Sequence, residues 1–190
     1  MLQGAATKST LIHTLTTALR IIFNYSQAVK VCAPTGNAAS NVFGSTCHHI
    51  CCIGTIKSIA DHISDSTLKE LKKDFNKVVC LIVDERSLLS LKLITRMEYN
   101  CCHSVNNGLN HQYSWGNIPI VVLLIGDDYQ LPPIESGAFK IFQHTSTPKN
   151  TDITIGDNIF QHLASTTMAL SLYLRECCQI KRNSKTYYHD

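Results

Sequence analysis

The chain has 190 residues, of which 44% are hydrophobic and 16% charged, and its formal net charge is +3. At roughly 150 residues per domain there is room for one α/β domain and little else, and a composition this rich in core-forming residues excludes a disordered or collagen-like protein. The longest apolar run, Ile118 to Ile125, contains a proline and falls far short of the roughly 18 residues that a membrane span needs, so none is expected.

Charge is unevenly placed. The first 60 residues carry Lys8, Arg20, Lys30 and Lys57, and the first acid is Asp61, so the N-terminal third is weakly cationic. An acid-free, Thr-rich start also suits a mitochondrial transit peptide, but only Lys8 and Arg20 fall within its first 20 positions. The nine cysteines are odd in number and include the vicinal pairs Cys51-Cys52, Cys101-Cys102 and Cys177-Cys178. With no secretory apolar segment, they read as reduced intracellular thiols rather than a disulfide framework.

In chain order, the first feature is Gly4-Ala5-Ala6-Thr7-Lys8-Ser9-Thr10, followed by a helical pattern over Ser9 to Phe23 with Leu11, Leu15, Leu19 and Ile22 on one stripe. Lys-Ser at a helix start suits the end of a phosphate-binding loop, in which Lys8 reaches phosphate and Ser9 reaches magnesium. The glycine pattern is poor, with Leu2 and Thr7 where glycines are wanted, and taken alone the string reads better as a plain capped helix. Ala28 to Ala33 is the first short apolar, β-branched run, the pattern of a strand buried on both faces of a parallel sheet. After it come Ala33-Pro34-Thr35-Gly36-Asn37-Ala38-Ala39, where a glycine opens a helix and leaves N–H groups free for phosphate. Lys69, Lys72 and Lys73 with Glu70 and Asp74 read as the solvated face of a short helix.

The second apolar run, Val78 to Val83, ends in Asp84-Glu85. An aspartate there suits a magnesium ion and the phosphates it bridges, and the adjacent glutamate suits activation of a water. A solvated strand end would look the same. A helix is predicted over Leu88 to Tyr99 through Leu89, Leu93 and Met97, then a polar loop over Asn100 to Asn117. The third run, Ile120 to Ile125, leads into Gly126-Asp127-Asp128-Tyr129-Gln130-Leu131-Pro132-Pro133-Ile134, whose prolines hold the Gln130 amide toward the edge that carries Asp84. Beyond a polar stretch, Thr145 to Thr154, lie a helix near Gly156 to Leu163, an apolar run from Met168 to Leu174 and a basic end. Alternating strands and helices predict a doubly wound α/β fold with ligands at the carboxyl ends of the strands. Cys47, His48, His49, Cys51 and Cys52 lack the spacing that would bind zinc with Cys101, Cys102 and His103.

Taken together, these strings resemble the first motor domain of the Pif-one type of superfamily-one DNA helicases. GAATKST is similar to that family's GxGTGKS-type loop, APTGNAASNVFGSTCHH to its APTGxAAxNxxGxTxHS segment, LIVDERSLLS to LIVDEISMLS and LIGDDYQLPPI to GDxxQLPPV. The resemblance implies a RecA-like P-loop NTPase fold, a mostly parallel sheet with helices on both faces, over residues 1–145. Residues 146–190 become a linker and tail in which Leu170-x-x-x-x-Arg175 resembles the family's arginine motif.

The implied function is that of an ATP-dependent, 5′-to-3′ DNA helicase moving on single-stranded DNA, in the nucleus or mitochondrion, with ATP and Mg2+ as cofactors. Gly4, Thr7, Lys8, Ser9 and Thr10 would bind nucleotide, Ser9 and Asp84 the metal, and Glu85 would act as base. Gln130 would sense the γ-phosphate and Arg175 would approach it from the far side. Pro34, Thr35, Gly36, Thr46 and His48 match the DNA-contacting segment. Ala5 and Thr7 depart from the pattern by replacing glycines. The family's strand before the loop and its second motor domain are expected to be missing from this chain, making it a fragment of a longer product. The alternative is a degenerate, non-catalytic nucleic-acid-binding remnant.

Overall fold

Three runs of aliphatic, mostly β-branched residues lie side by side and in the same direction. In the computed structural model, which describes residues 3–54, 63–105, 119–127, 133 and 154–159, they form β1 (Val29–Ala33), β3 (Cys80–Val83) and β4 (Val121–Leu124). With β2 (Ser45–Thr46) they make a parallel sheet in the order β2-β1-β3-β4. Val29 pairs with Cys80 and Cys32 with Val83, while Cys80 pairs with Val121 and Val83 with Leu124. β1, β3 and β4 each lie within a predicted run. β2 was not predicted: Ser45 and Thr46 form no apolar run, and they pair only because Cys32 and Ala33 lie opposite them.

The helices are α1 (Gln3–Ile22), α2 (Gly36–Asn41), α3 (Cys47–Ile50), α4 (Asp65–Phe75) and α5 (Leu91–Val105). Successive strand residues point to opposite faces, and helices cover both. Val29, Val31, Cys80 and Ile82 pack with Ile12 of α1 on one face. Cys32, Leu81 and Val83 pack with Leu71 and Phe75 of α4 and with Leu91, Ile94 and Met97 of α5 on the other. This is the doubly wound α/β fold the sequence predicts. β3, hydrogen-bonded on both sides, is wholly buried, whereas Val121 of β4 is 60% exposed; among the described strands β4 pairs only with β3.

Two helices differ from expectation. On α1 the fully buried residue is Ile12, with Leu15 and Leu19 packed beside it; Ile22, predicted on the stripe, is 70% exposed. α5 runs to Val105, through the start of the predicted loop. The polar run from Asn100 conceals Cys101 and Cys102, which are buried, and the Asn100 side-chain amide donates to the Cys51 carbonyl at 2.6 Å.

α4 turns Leu71 and Phe75 inward and leaves Lys69, Glu70, Lys73 and Asp74 exposed, with Lys72 half-buried. Its start is capped by Ser64, whose side chain accepts from the Thr67 N–H at 3.2 Å. Residues 154–159 are helical and return to the core: Ile159 is buried there, and a Cβ on Gly156 would strike the Leu91 carbonyl and lie 2.7 Å from Thr95 Oγ1. Among the described residues no helix is long and apolar enough to cross a membrane.

Candidate functional site

The carboxyl ends of β1 and β3 lie together, and the chain leaving β3 is drawn inward. The Asp84 N–H donates to the Cys32 carbonyl at 2.8 Å, which leaves Asp84 only 4% exposed. Its Oδ1 atom has no hydrogen-bond partner. Burial raises the Asp84 carboxyl above the ordinary carboxylate range; the hydrogen bond from the Glu85 backbone opposes this, the Glu85 charge adds to it and Lys8 opposes it.

Glu85 then takes φ 53° and ψ 51°, a left-handed conformation that costs a non-glycine residue roughly 1–2 kcal/mol. The surroundings hold it there. The Arg86 N–H donates to the Ile125 carbonyl at 3.0 Å, and a short 3-10 turn over Arg86–Leu88 follows. Gly126 lets the β4 end come this close, because a Cβ there would lie 2.6 Å from the Arg86 backbone nitrogen.

This turn sends the Glu85 side chain toward α1, where Lys8 Nζ lies 3.4 Å from Glu85 Oε1. Both side chains are partly exposed, at 20% and 25%. Ser9 is half-buried and Thr10 exposed on the same helix. The structure therefore brings together Lys8, Glu85 and, through the chain, Asp84. Asp84, with its orphaned buried Oδ1, offers the kind of oxygen donor that a hard cation such as magnesium takes.

One expectation is corrected here. α1 starts at Gln3 rather than at Ser9, so the backbone from Gly4 to Thr7 is helical and does not form the predicted loop. The residues explain it. Ala5 and Ala6 are the strongest helix formers, and Ala5 and Thr7 replace the glycines that would adopt loop geometry without strain.

The second half of the edge is built by two helix caps. Thr35, in extended conformation after Pro34, caps α2 with its side-chain oxygen accepting from the Ala38 N–H at 3.3 Å. Thr46 caps α3 in the same way, accepting from the His49 N–H at 3.2 Å. Thr46 pairs with Ala33, so the two caps sit on neighbouring strand ends. Gly44 permits this approach, because a Cβ there would strike the Val31 carbonyl. Gly36 is exposed, with no atom within 4 Å of the position its Cβ would take, and His48 is exposed on α3.

Gln130 and Arg175 lie outside the described residues. Among the described residues no group of three or more His, Cys, Asp or Glu side chains is placed to hold a metal ion: Cys47 and Cys51 face inward, while His48 and His49 face solvent. Two features escaped the sequence reading. The left-handed Glu85 has no signature in residue type, and the Gly126–Arg86 contact could have been suspected only from a glycine at a strand end.

Comparison with known proteins agrees with this architecture. Residues 4–136 match the family model described as "AAA domain". The chain is 31% identical over 129 residues to the ATP-dependent DNA helicase PIF1 of Saccharomyces cerevisiae and 30% identical over 130 residues to that of Candida albicans. The matches cover 67% of this chain in both cases but only 14% and 13% of the relatives' lengths. The crystal structure of the Pif1 helicase from Candida albicans superposes with a TM-score of 0.54 at 25% identity, over 78% of this chain and 32% of that one. The chain belongs to the AAA domain family and is a Pif1-like helicase motor domain.

Proposed function

We propose that this chain supplies the ATP-hydrolysing half of a 5′-to-3′ DNA helicase, acting on single-stranded DNA in the nucleus or mitochondrion. The observation that carries the reading is the meeting of Lys8 with Glu85 beside the buried, unpartnered Asp84 oxygen at the carboxyl edge of a parallel sheet. The curated relatives are named ATP-dependent DNA helicases.

In this reading Lys8 exchanges its contact with Glu85 for the β- and γ-phosphates of ATP. Freed of Lys8, Glu85 accepts a proton from the water that attacks the γ-phosphorus. Asp84 and Ser9 would hold a magnesium ion, whose charge offsets that of the phosphates. Gln130 and Arg175 are assigned to the γ-phosphate from the family pattern. Thr35 and Gly36, with Thr46 and His48, offer a ledge for a nucleic-acid backbone, and the open space at Gly36 lets a phosphate approach.

One observation favours a second reading. The helical backbone from Gly4 to Thr7 is not shaped around a triphosphate, which suits a remnant that binds nucleic acid without hydrolysis. Titration with a fluorescent ATP analogue in magnesium separates the two. Saturable binding lost in Lys8→Ala supports the first reading, and its absence, with oligothymidine still bound, supports the second.

A further inference from the structure

Four buried thiols that the proposed chemistry does not use surround α3. Cys47 and Cys51 lie one turn apart, and the Cys51 N–H donates to the Cys47 carbonyl at 3.0 Å. Each faces a thiol from a different element. Cys47 Sγ is 3.6 Å from Cys32 Sγ on β1, and Cys51 Sγ is 3.8 Å from Cys101 Sγ on α5. All four residues are 0% exposed. A lone buried cysteine fills space; here two pairs sit at sulfur–sulfur contact, one on each end of a four-residue helix.

We propose that this cluster is a modification site: a small peroxide oxidises it to two disulfides, Cys32–Cys47 and Cys51–Cys101, which staple α3 to the sheet on one side and to α5 on the other. In each pair one sulfur attacks a peroxide oxygen, the O–O bond breaks and a sulfenic acid forms with loss of one water. The partner sulfur then displaces the sulfenic oxygen as a second water, forming the S–S bond. Two thiols are oxidised and one peroxide is reduced in each bond. Closure brings each sulfur pair to about 2.05 Å, a movement that a single helical turn held by the two-residue β2 can make.

Burial keeps the Cys32 and Cys51 thiols protonated and slow. The Cys47 hydrogen bond and burial raise Cys32, and the Cys101 hydrogen bond and burial raise Cys51. Reaction therefore waits on opening of α3. Half-buried Cys52 is the competing target, and the vicinal pairs Cys51-Cys52 and Cys101-Cys102 are the competing bonds. The consequence falls on Thr46, which caps the stapled helix, and on His48 within its single turn. The bonds themselves do not depend on the nucleotide or nucleic-acid reading.

The test is to treat the native full chain with hydrogen peroxide, block remaining thiols under denaturing conditions, and digest with chymotrypsin for mass spectrometry without reductant. That enzyme cuts after Phe43 and Tyr99, which lie between the partners of each pair. No such cut falls between Cys47 and Cys51, so the expected result is one three-peptide species in which the segment carrying both is joined to the Cys32 peptide and to the Cys101 peptide, each released by dithiothreitol. Cys47→Ser should lose only the Cys32 peptide from this species, and Cys51→Ser only the Cys101 peptide. Four thiols that remain blockable while Cys52 is oxidised, a single bond, or bonds joining any other pair would overturn the proposal.

Discussion

Lys8 and Glu85 are 77 residues apart in sequence and 3.4 Å apart in space. The contact is long and partly solvated, so its contribution to stability is expected to be small. A double-mutant cycle with Lys8→Ala and Glu85→Gln should give a coupling below about 1 kcal/mol in chemical denaturation. A coupling several times larger would mean that the pair is a structural brace rather than two groups awaiting a ligand.

The helical start of α1 is the main obstacle to nucleotide. Replacing Ala5 and Thr7 together by glycine weakens the helix, by about 1 kcal/mol at Ala5 and less at Thr7, and removes a left-handed penalty of roughly 1–2 kcal/mol per position from the loop form. The double variant should bind ATP about ten- to a hundredfold more tightly by calorimetry. No gain would show that the Gly4 to Thr7 backbone does not limit affinity.

The glycines separate packing from ligand access. Gly126→Ala forces a Cβ onto the Arg86 backbone and Gly44→Ala forces one onto the Val31 carbonyl, so each should lower stability by about 1–3 kcal/mol in urea denaturation. Gly36→Ala has open space and should leave stability within about 0.5 kcal/mol, apart from its helix-propensity gain. Gly36→Val should weaken oligothymidine binding in low salt by anisotropy, while Lys72→Ala changes it little. Equal losses from these two would indicate diffuse electrostatics rather than a placed ledge.

Alkaline pH should destabilise the fold. Burial pushes the Cys80 thiol from its ordinary value of 9.0 to about 11, and Cys32, Cys51 and Cys102 are raised as well. Because the native state holds these protons after the unfolded chain has released them, the stability they contribute is full below pH 9 and is lost as pH rises toward 11. Urea midpoints should fall over that window, and Cys80→Val should make the fall shallower. An unchanged slope in that variant would contradict the assignment to Cys80.

The strands were legible because Val, Ile and Leu runs have one good use in a domain of this size, a sheet covered on both faces. β2 was illegible because its two residues carry no apolar signal and are strand only by virtue of what lies opposite. The start of α1 was misread for the opposite reason: Lys8-Ser9 suggested a loop end, but without glycines at positions 5 and 7 the backbone prefers helix. The edge residues could be named from spacing, whereas the strained Glu85 and the thiol pairs arise only when distant segments meet. Thr35 and Thr46 carry a role that spacing did not show, since both hydroxyls cap helices.

The central claim is that Glu85, placed by its left-handed turn against Lys8, acts as the base in ATP hydrolysis. Phosphate release should be measured with magnesium, ATP and oligothymidine on the chain carrying glycine at positions 5 and 7, with and without Glu85→Gln, alongside nucleotide binding. Glu85→Gln should keep binding within a few-fold and lower turnover by about 100-fold or more, as expected for loss of a general base. Turnover that persists at the parent rate in Glu85→Gln would contradict the claim.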